Sequence, residues 1–433
     1  MRDQAHVDKV AIIGGSLAGL GAALDLALAG VEVTVYERES RVLPDFEPPT
    51  LGASAALLGL ARRLGLKSVG RADDSGVIDS RRASVKVGGD RGELVRFRNE
   101  TGSLASDFSW VGATVGSYLR QQQHSEEFVR TWFLPRALAW AGGELGAVED
   151  ASLESLSRAW LASGIVGHGR EPTRIDGGVD ALRPRLVEAI EAAGGVIRPR
   201  THVRMVRRTP TGVRVHAVQW GAGPGAAVRV ESADAVIIAL NPDPAGRLLA
   251  DADREEASLL GDIPTRICRV VRHTDHRLMP KDRADWRAIQ YLMTDADEDS
   301  APPSRTRWLN RTGERPLSAK YTFESWDPFL EPAADRIESD ELRTVPRPSA
   351  AGDSARRALI ARQGRRRTWY VGAWLRCPFT AEDALRTGMN AAGQILEQRY
   401  IAPTPLPYGS IPMEAMRDSS TSDVTAVGRR VGR

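Results

Sequence analysis

The amino-acid sequence predicts an α/β fold, a Rossmann-like dinucleotide-binding domain interleaved with an α+β domain, and three observations predict it. VAIIGGSLAGLGAALDLALAGVEVTVYERE, residues 10–39, reads as strand, glycine turn, helix, strand and acid. IDGGVDALRPRLVEAIEAAGGVIRPRTHVRMVRR, beginning at Ile175, returns to that texture. TWYVGAWLRCPFTAEDALRTGMNAAGQILEQRY, beginning at Thr368, supplies a strand, a turn and a long helix.

In the first block, residues 10–13 form a short apolar strand and 14–19 a turn. Residues 20–29 form a helix stopped by Gly30, and 31–36 a second strand ending at Glu37. Asp25, Glu32 and the glycines rule out a membrane span. The turn Gly14-Gly15-Ser16-Leu17-Ala18-Gly19 places glycine at the first and last positions of G-x-G-x-x-G and serine at the middle one. Gly14 permits the tight turn, a small residue at 16 lets the backbone approach a pyrophosphate, and Gly19 lets the helix pack against the strand. A side chain at 14 is expected to collide with the pyrophosphate. The helix N-terminus offers unpaired N–H groups to phosphate. Glu37, followed by Arg38, suits both ribose hydroxyls of an adenosine and disfavours a 2′-phosphate, which selects FAD or NAD over NADP. An ordinary βαβ unit would explain the glycines but not Glu37.

Onward from Arg38, a proline-rich loop leads into a helix, RRASVKVGGDRGELVRFRN reads as a polar hairpin, and residues 115–145 carry helical periodicity with Phe128, Trp132, Phe133, Leu138 and Trp140 facing a core. The second block gives a Gly-Gly turn, an amphipathic helix closed by Gly194-Gly195, and strands at 196–198 and 203–207. A hairpin and a buried strand at 235–240 follow, ending in a proline-containing loop. Beyond Asp262 come mixed strands and loops, with low order expected at 295–303 and 345–353 and in the terminal tail. The expected division is 1–70, 171–262 and 356–402 for the dinucleotide domain, 71–170 and 263–355 for the substrate domain, and 403–433 for the tail.

Composition narrows the function classes. A chain of 433 residues with net charge +3 holds two or three domains, and its basic residues are spread among acids, which gives no nucleic-acid footprint. Cys268 and Cys377 are the only cysteines, too few for a disulfide framework or a cysteine metal site, so no metal is expected. The opening MRDQAHVDK has no secretory pattern, and the expectation is a cytoplasmic protein without membrane attachment. A small-molecule substrate is the expected partner, with a homodimer compatible.

The three blocks, together with ADAVIIAL, resemble the flavin amine oxidase, phytoene desaturase and protoporphyrinogen oxidase superfamily. HTDHRLMPKDRADWRAIQYL and SEEFVRTWFLPRALAW resemble its bacterial branch of predicted NAD/FAD-binding proteins. The resemblance implies a glutathione-reductase-like flavoprotein with FAD as cofactor. It places Gly14, Gly15, Ser16, Ala18, Gly19, Glu37 and Arg38 along the ADP half, and Val203 at the adenine. Gly372 and Ala373 lie along the ribityl chain, Trp374 beside the isoalloxazine, and the helix starting near Ala381 aims at the flavin N1 and C2 carbonyl, where a helix N-terminus stabilises reduced flavin. The sequence departs from the family where ERESRVLPDFEPPTLG replaces its Gly-Gly-His or Gly-Gly-Arg turn, and at the bulky Trp374.

Flavin chemistry needs orientation and dryness more than a protein acid or base, and no catalytic residue is assigned. His273 and His276 can serve as bases but read as satisfied loop residues. Lys320 is poorly located for a flavin-side lysine, Cys377 reads as a structural thiol, and Glu382 and Asp383 as helix-start acids. The expected activity is an FAD-dependent oxidoreductase of oxidase, dehydrogenase or desaturase type, removing a hydride from a small or medium organic substrate. A flavin-binding non-redox cyclase or isomerase, or a flavin-free scaffold, is the alternative.

Overall fold

The computed structural model describes residues 7–40, 55–70, 75–79, 84–86, 91–104, 112–141, 145–162, 173–220, 228–293, 304–316, 318–376 and 379–399. Its parallel sheet has five strands in the order Thr368–Tyr370, Ala235–Ile238, Lys9–Ile13, Glu32–Tyr36, Val196–Arg198. Lys9–Ile13 lies at the centre, and its apolar run follows from burial on both faces. Val10 and Ile12 join a cluster with the helices Leu17–Leu28, Gly178–Ala192 and Ala381–Arg399. Ala11 and Ile13 join another with the antiparallel strands Thr201–Thr209 and Gly212–Gln219.

The first helix begins earlier than expected, at Leu17, because Ser16 caps it: its Oγ accepts the Gly19 N–H at 3.2 Å. This helix packs so closely on Ala381–Arg399 that a Cβ at Gly388 would lie 2.0 Å from the Ala18 carbonyl oxygen.

A second sheet has seven strands, ordered Ile337–Pro346, Thr265–His273, Phe323–Trp326, Ser304–Trp308, Ile289–Met293, Ser75–Asp79, Ser84–Lys86. Val77, Ile289, Tyr291 and Met293 bury against an aromatic helical layer containing Phe97, Phe128, Trp132, Phe133 and Trp160. Two distant stretches of chain therefore build this α+β layer, between segments that build the parallel sheet.

Several local expectations are corrected. Among the described residues of the expected polar hairpin, Ser84–Lys86 is a strand, paired with Ser75–Asp79, and Arg91–Leu104 is a helix. Phe97 is fully buried there, while Arg96 bridges to Glu93 and Glu100 at helical spacing. The proline-containing loop after residue 240 is the helix Pro242–Leu248, in which proline occupies the first turn where its missing N–H costs nothing. Residues 345–353 are ordered: the last strand runs to Pro346 and the helix Ala350–Ala361 starts behind Ser349, whose Oγ accepts the Gly352 N–H at 3.0 Å. The helical stretch from 115 is broken by Gln123 at φ 49° and by a π-turn at Val129–Phe133. Residues 295–303, Cys377, the tail 403–433 and most of the loop after Glu39 lie outside the described residues.

Candidate functional site

Ligands of open parallel sheets bind outside the carboxyl ends of the strands, where the chain departs to both sides of a central strand. Lys9–Ile13 is that strand here, with Glu32–Tyr36 on one side and Ala235–Ile238 on the other. A cavity of about 570 Å³ opens at this point. Ile13 and Gly14, Tyr36 and Glu37, Ala239 and Leu240, and Val371 and Gly372 bring four strand ends to it.

Of the residues singled out in the sequence, Gly14, Gly15, Ser16, Glu37, Arg38, Val203, Gly372, Ala373 and Trp374 line this one cavity. Ala18, Gly19 and Ala381 do not. Ala18 faces Gly388, and a Cβ at Gly19 would lie 2.3 Å from the Gly14 carbonyl oxygen. Ala381 is buried against the first helix in the apolar cluster, just after Thr380, which caps the last helix reciprocally with Asp383. Burial pushes the Asp383 carboxyl up, while Glu382 accepts the Leu57 N–H at 3.0 Å.

Gly14 adopts φ +106°, and a Cβ there would lie 2.6 Å from the Ala239 carbonyl oxygen. Its constraint is internal to the fold, in addition to any ligand. Glu37 is held from two sides: Oε2 accepts the Gly15 N–H and Oε1 the Glu39 N–H, each at 2.8 Å. A carboxylate has about four acceptor sites, so each oxygen keeps capacity for a ribose hydroxyl. Glu37 is the sole acid among the described lining residues, against Arg38, Arg204 and Arg247. His202 also lines the wall, where burial, then Arg204 and Arg38, hold its imidazole below its ordinary value. A cation-rich cavity at a helix N-terminus with no acid in its first turn suits a pyrophosphate. The residues present thus fit the ADP half of a dinucleotide.

At the other end Trp374 is buried, its Nε1 donating to the Leu240 carbonyl at 2.9 Å, so the indole forms wall. Gly372, at φ +147°, donates its N–H to Thr387 Oγ1 at 3.0 Å, and a Cβ on it would lie 2.6 Å from Trp374 Nε1.

The remaining candidates lie elsewhere. His273 is completely buried, donating from Nε2 to Ser325 Oγ at 2.8 Å and accepting the Asp275 N–H on Nδ1 at 3.1 Å. Burial holds it at about 4, overriding the neighbouring Asp275. His276 packs near Trp286, and Lys320 is exposed. Sequence reasoning missed Arg204, Asn241, Arg247, Leu342, Thr344 and Pro346 in the lining. Arg204 was within reach, since it flanks Val203, whereas the other five arrive through tertiary packing.

The fold and the cavity define a Rossmann-type dinucleotide-binding protein. The model for the family described as flavin containing amine oxidoreductase matches residues 83–396, and the chain belongs to that family. It is an FAD-dependent oxidoreductase. The match begins after the glycine turn, so the first βαβ unit is read from the chain itself.

Among solved structures, the chain is similar to putrescine oxidase bound to putrescine, at 16% identity and TM-score 0.60, covering 90% of this chain and 99% of that one. It is similar to cyclohexylamine oxidase from Brevibacterium oxydans IH-35A at 18% identity and TM-score 0.60, covering 91% and 99%. A CLA-producing fatty acid isomerase from P. acnes shares the fold at 15% identity and TM-score 0.58, covering 91% and 99%. No curated protein sequence matches the chain. Among the described residues no helix is long and apolar enough to cross a membrane.

Proposed function

We propose that the cavity at the carboxyl ends of the parallel strands holds FAD, and that the enzyme oxidises a small or medium organic molecule. The observation that carries this reading is the convergence of Gly14, Gly15, Ser16, Glu37, Arg38, Val203, Gly372, Ala373 and Trp374, from four separate segments, on a single cavity. Gly14 to Ser16 bring main chain to the pyrophosphate, with Ala18 and Gly19 fixing the helix behind it. Glu37 accepts the ribose hydroxyls, Arg38 borders them, and Val203 offers backbone to the adenine. Gly372 and Ala373 border the ribityl chain, Trp374 walls the ring, and the helix starting at Ala381 directs its positive end toward that ring.

Bound FAD supplies a two-electron acceptor for a substrate hydride. The chain's own contribution is orientation, exclusion of water and fixed dipoles. His273 is already saturated by Ser325 and Asp275 and has no role in this reading. The domain division given from the sequence is retained, with the seven-stranded sheet on the substrate side. Similarity to two enzymes named for amines makes primary amines the first substrates to try.

The test is anaerobic mixing of FAD-loaded protein with a panel of primary amines, unsaturated lipids and hydroxy compounds. Loss of the oxidised-flavin absorbance with product formation is expected for one class. Product formed without bleaching would replace this reading by a non-redox isomerase.

A further inference from the structure

The turn Gly372 to Trp374 forms one part of the cavity wall, and Thr344 and Pro346, at the end of the edge strand Ile337–Pro346, form another. These parts belong to different sheets, and the Arg356 side chain bonds to both sides. Arg356, in the helix Ala350–Ala361 and only 2% exposed, donates from Nε to the Trp374 carbonyl at 2.9 Å and from Nη2 to the Arg347 carbonyl at 2.8 Å. Its Nη1 meets Asp353 Oδ1 at 2.6 Å, and its guanidinium lies 4.7 Å from the centre of the Phe379 ring, just ahead of the last helix. A rigid planar fork satisfies acceptors in three directions at once, which the single ammonium of lysine cannot reproduce.

We propose that Arg356 is a positioning residue for the flavin site: it sets the separation between the Gly372 to Trp374 turn and the end of the edge strand, and with it the grip on FAD. This rests on the functional reading above and adds a residue that touches neither cofactor nor substrate. Removing the fork takes this donor from the buried Trp374 carbonyl and from the half-buried Arg347 carbonyl, and loosens the tie between the two walls. Weaker binding and a less structured flavin spectrum follow, beyond any loss of stability.

The test titrates FAD into wild type, Arg356→Lys and a control, Arg208→Lys, following flavin absorbance and fluorescence alongside thermal unfolding. Arg208 is also buried and tied to carboxylates, those of Asp251 and Glu256, but is not among the lining residues and makes no bond to the Gly372 to Trp374 turn or to the end of the edge strand. Arg356→Lys is expected to weaken FAD binding about tenfold or more and to blunt the vibrational structure of the flavin band, while Arg208→Lys lowers the melting temperature and keeps both. The milder Asp353→Asn leaves the Arg356 fork in place to reach both carbonyls while removing the charge beside its Nη1, and is expected to weaken FAD binding a few-fold in the same direction. Unchanged affinity and spectrum in the folded Arg356 and Asp353 variants overturn the positioning role alone. Absence of FAD binding by wild type overturns the functional reading and this proposal together.

Discussion

At the scale of single residues, Gly14 and Glu37 separate two kinds of constraint that look alike in a sequence motif. A valine at Gly14 reads from the motif as a collision with pyrophosphate. In the structure it meets the Ala239 carbonyl first and adopts a φ that costs about 1–3 kcal/mol for a non-glycine residue. Gly14→Val is therefore expected to lower the unfolding midpoint in denaturant melts of the FAD-free protein. Glu37→Ala should spare much of the fold and weaken FAD binding about tenfold or more, through loss of charge-assisted ribose bonds worth about 1.5–3 kcal/mol each. Equal FAD affinity in folded Glu37→Ala would place the adenosine elsewhere.

His273 gives a pH dependence with a definite sign. Neutral in the fold, with its pKa at about 4 against an ordinary 6.5, it binds fewer protons than in the unfolded chain throughout that window. Its contribution is complete above about pH 6.5 and declines as pH falls toward 4, by up to about 3 kcal/mol. Urea melts of wild type and His273→Gln across this range should show the slope in wild type and a flatter profile in the variant. Parallel profiles would mean that other groups set the slope.

Among elements, the pairing of the first and last helices locates the cavity, because both depart from strands that feed it. Gly388 allows them to touch, and Gly388→Val would drive its side chain into the Ala18 carbonyl. Loss of both thermal stability and FAD retention is expected, seen as a lower melting temperature and a colourless preparation. This element pair also marks what the sequence made legible. Strands, turn and last helix follow from local chemistry: apolar runs, glycines and the acid after the second strand. The helix Arg91–Leu104 was misread because basic and acidic residues on its exposed face hide the inward Leu94 and Phe97, and the preceding strand suggested a hairpin. The helix after Asn241 was misread because proline signals a stop as readily as a first turn.

For the whole molecule, interleaving of two sheets explains why the cavity was only partly visible beforehand. The glycine turn, Glu37, Val203 and the Gly372 turn come from the parallel sheet and its antiparallel partner, where local motifs announce them. Leu342, Thr344 and Pro346 come from the edge of the seven-stranded sheet, and no local pattern relates that strand to a turn near residue 15. A ligand bridging these parts should stabilise the assembled state. At free FAD about 100 times its dissociation constant, mass action adds about 2.7 kcal/mol, so the melting temperature should rise with FAD and stay flat with riboflavin, which lacks the ADP half.

The central claim, that this chain uses the cavity for FAD, is tested most directly by the flavin content of the purified protein. The protein should be yellow, with an oxidised-flavin absorption band, and denaturation should release FAD approaching one per chain, or reach that ratio after incubation with added FAD. Colourless protein that takes up no FAD while remaining folded would contradict the account.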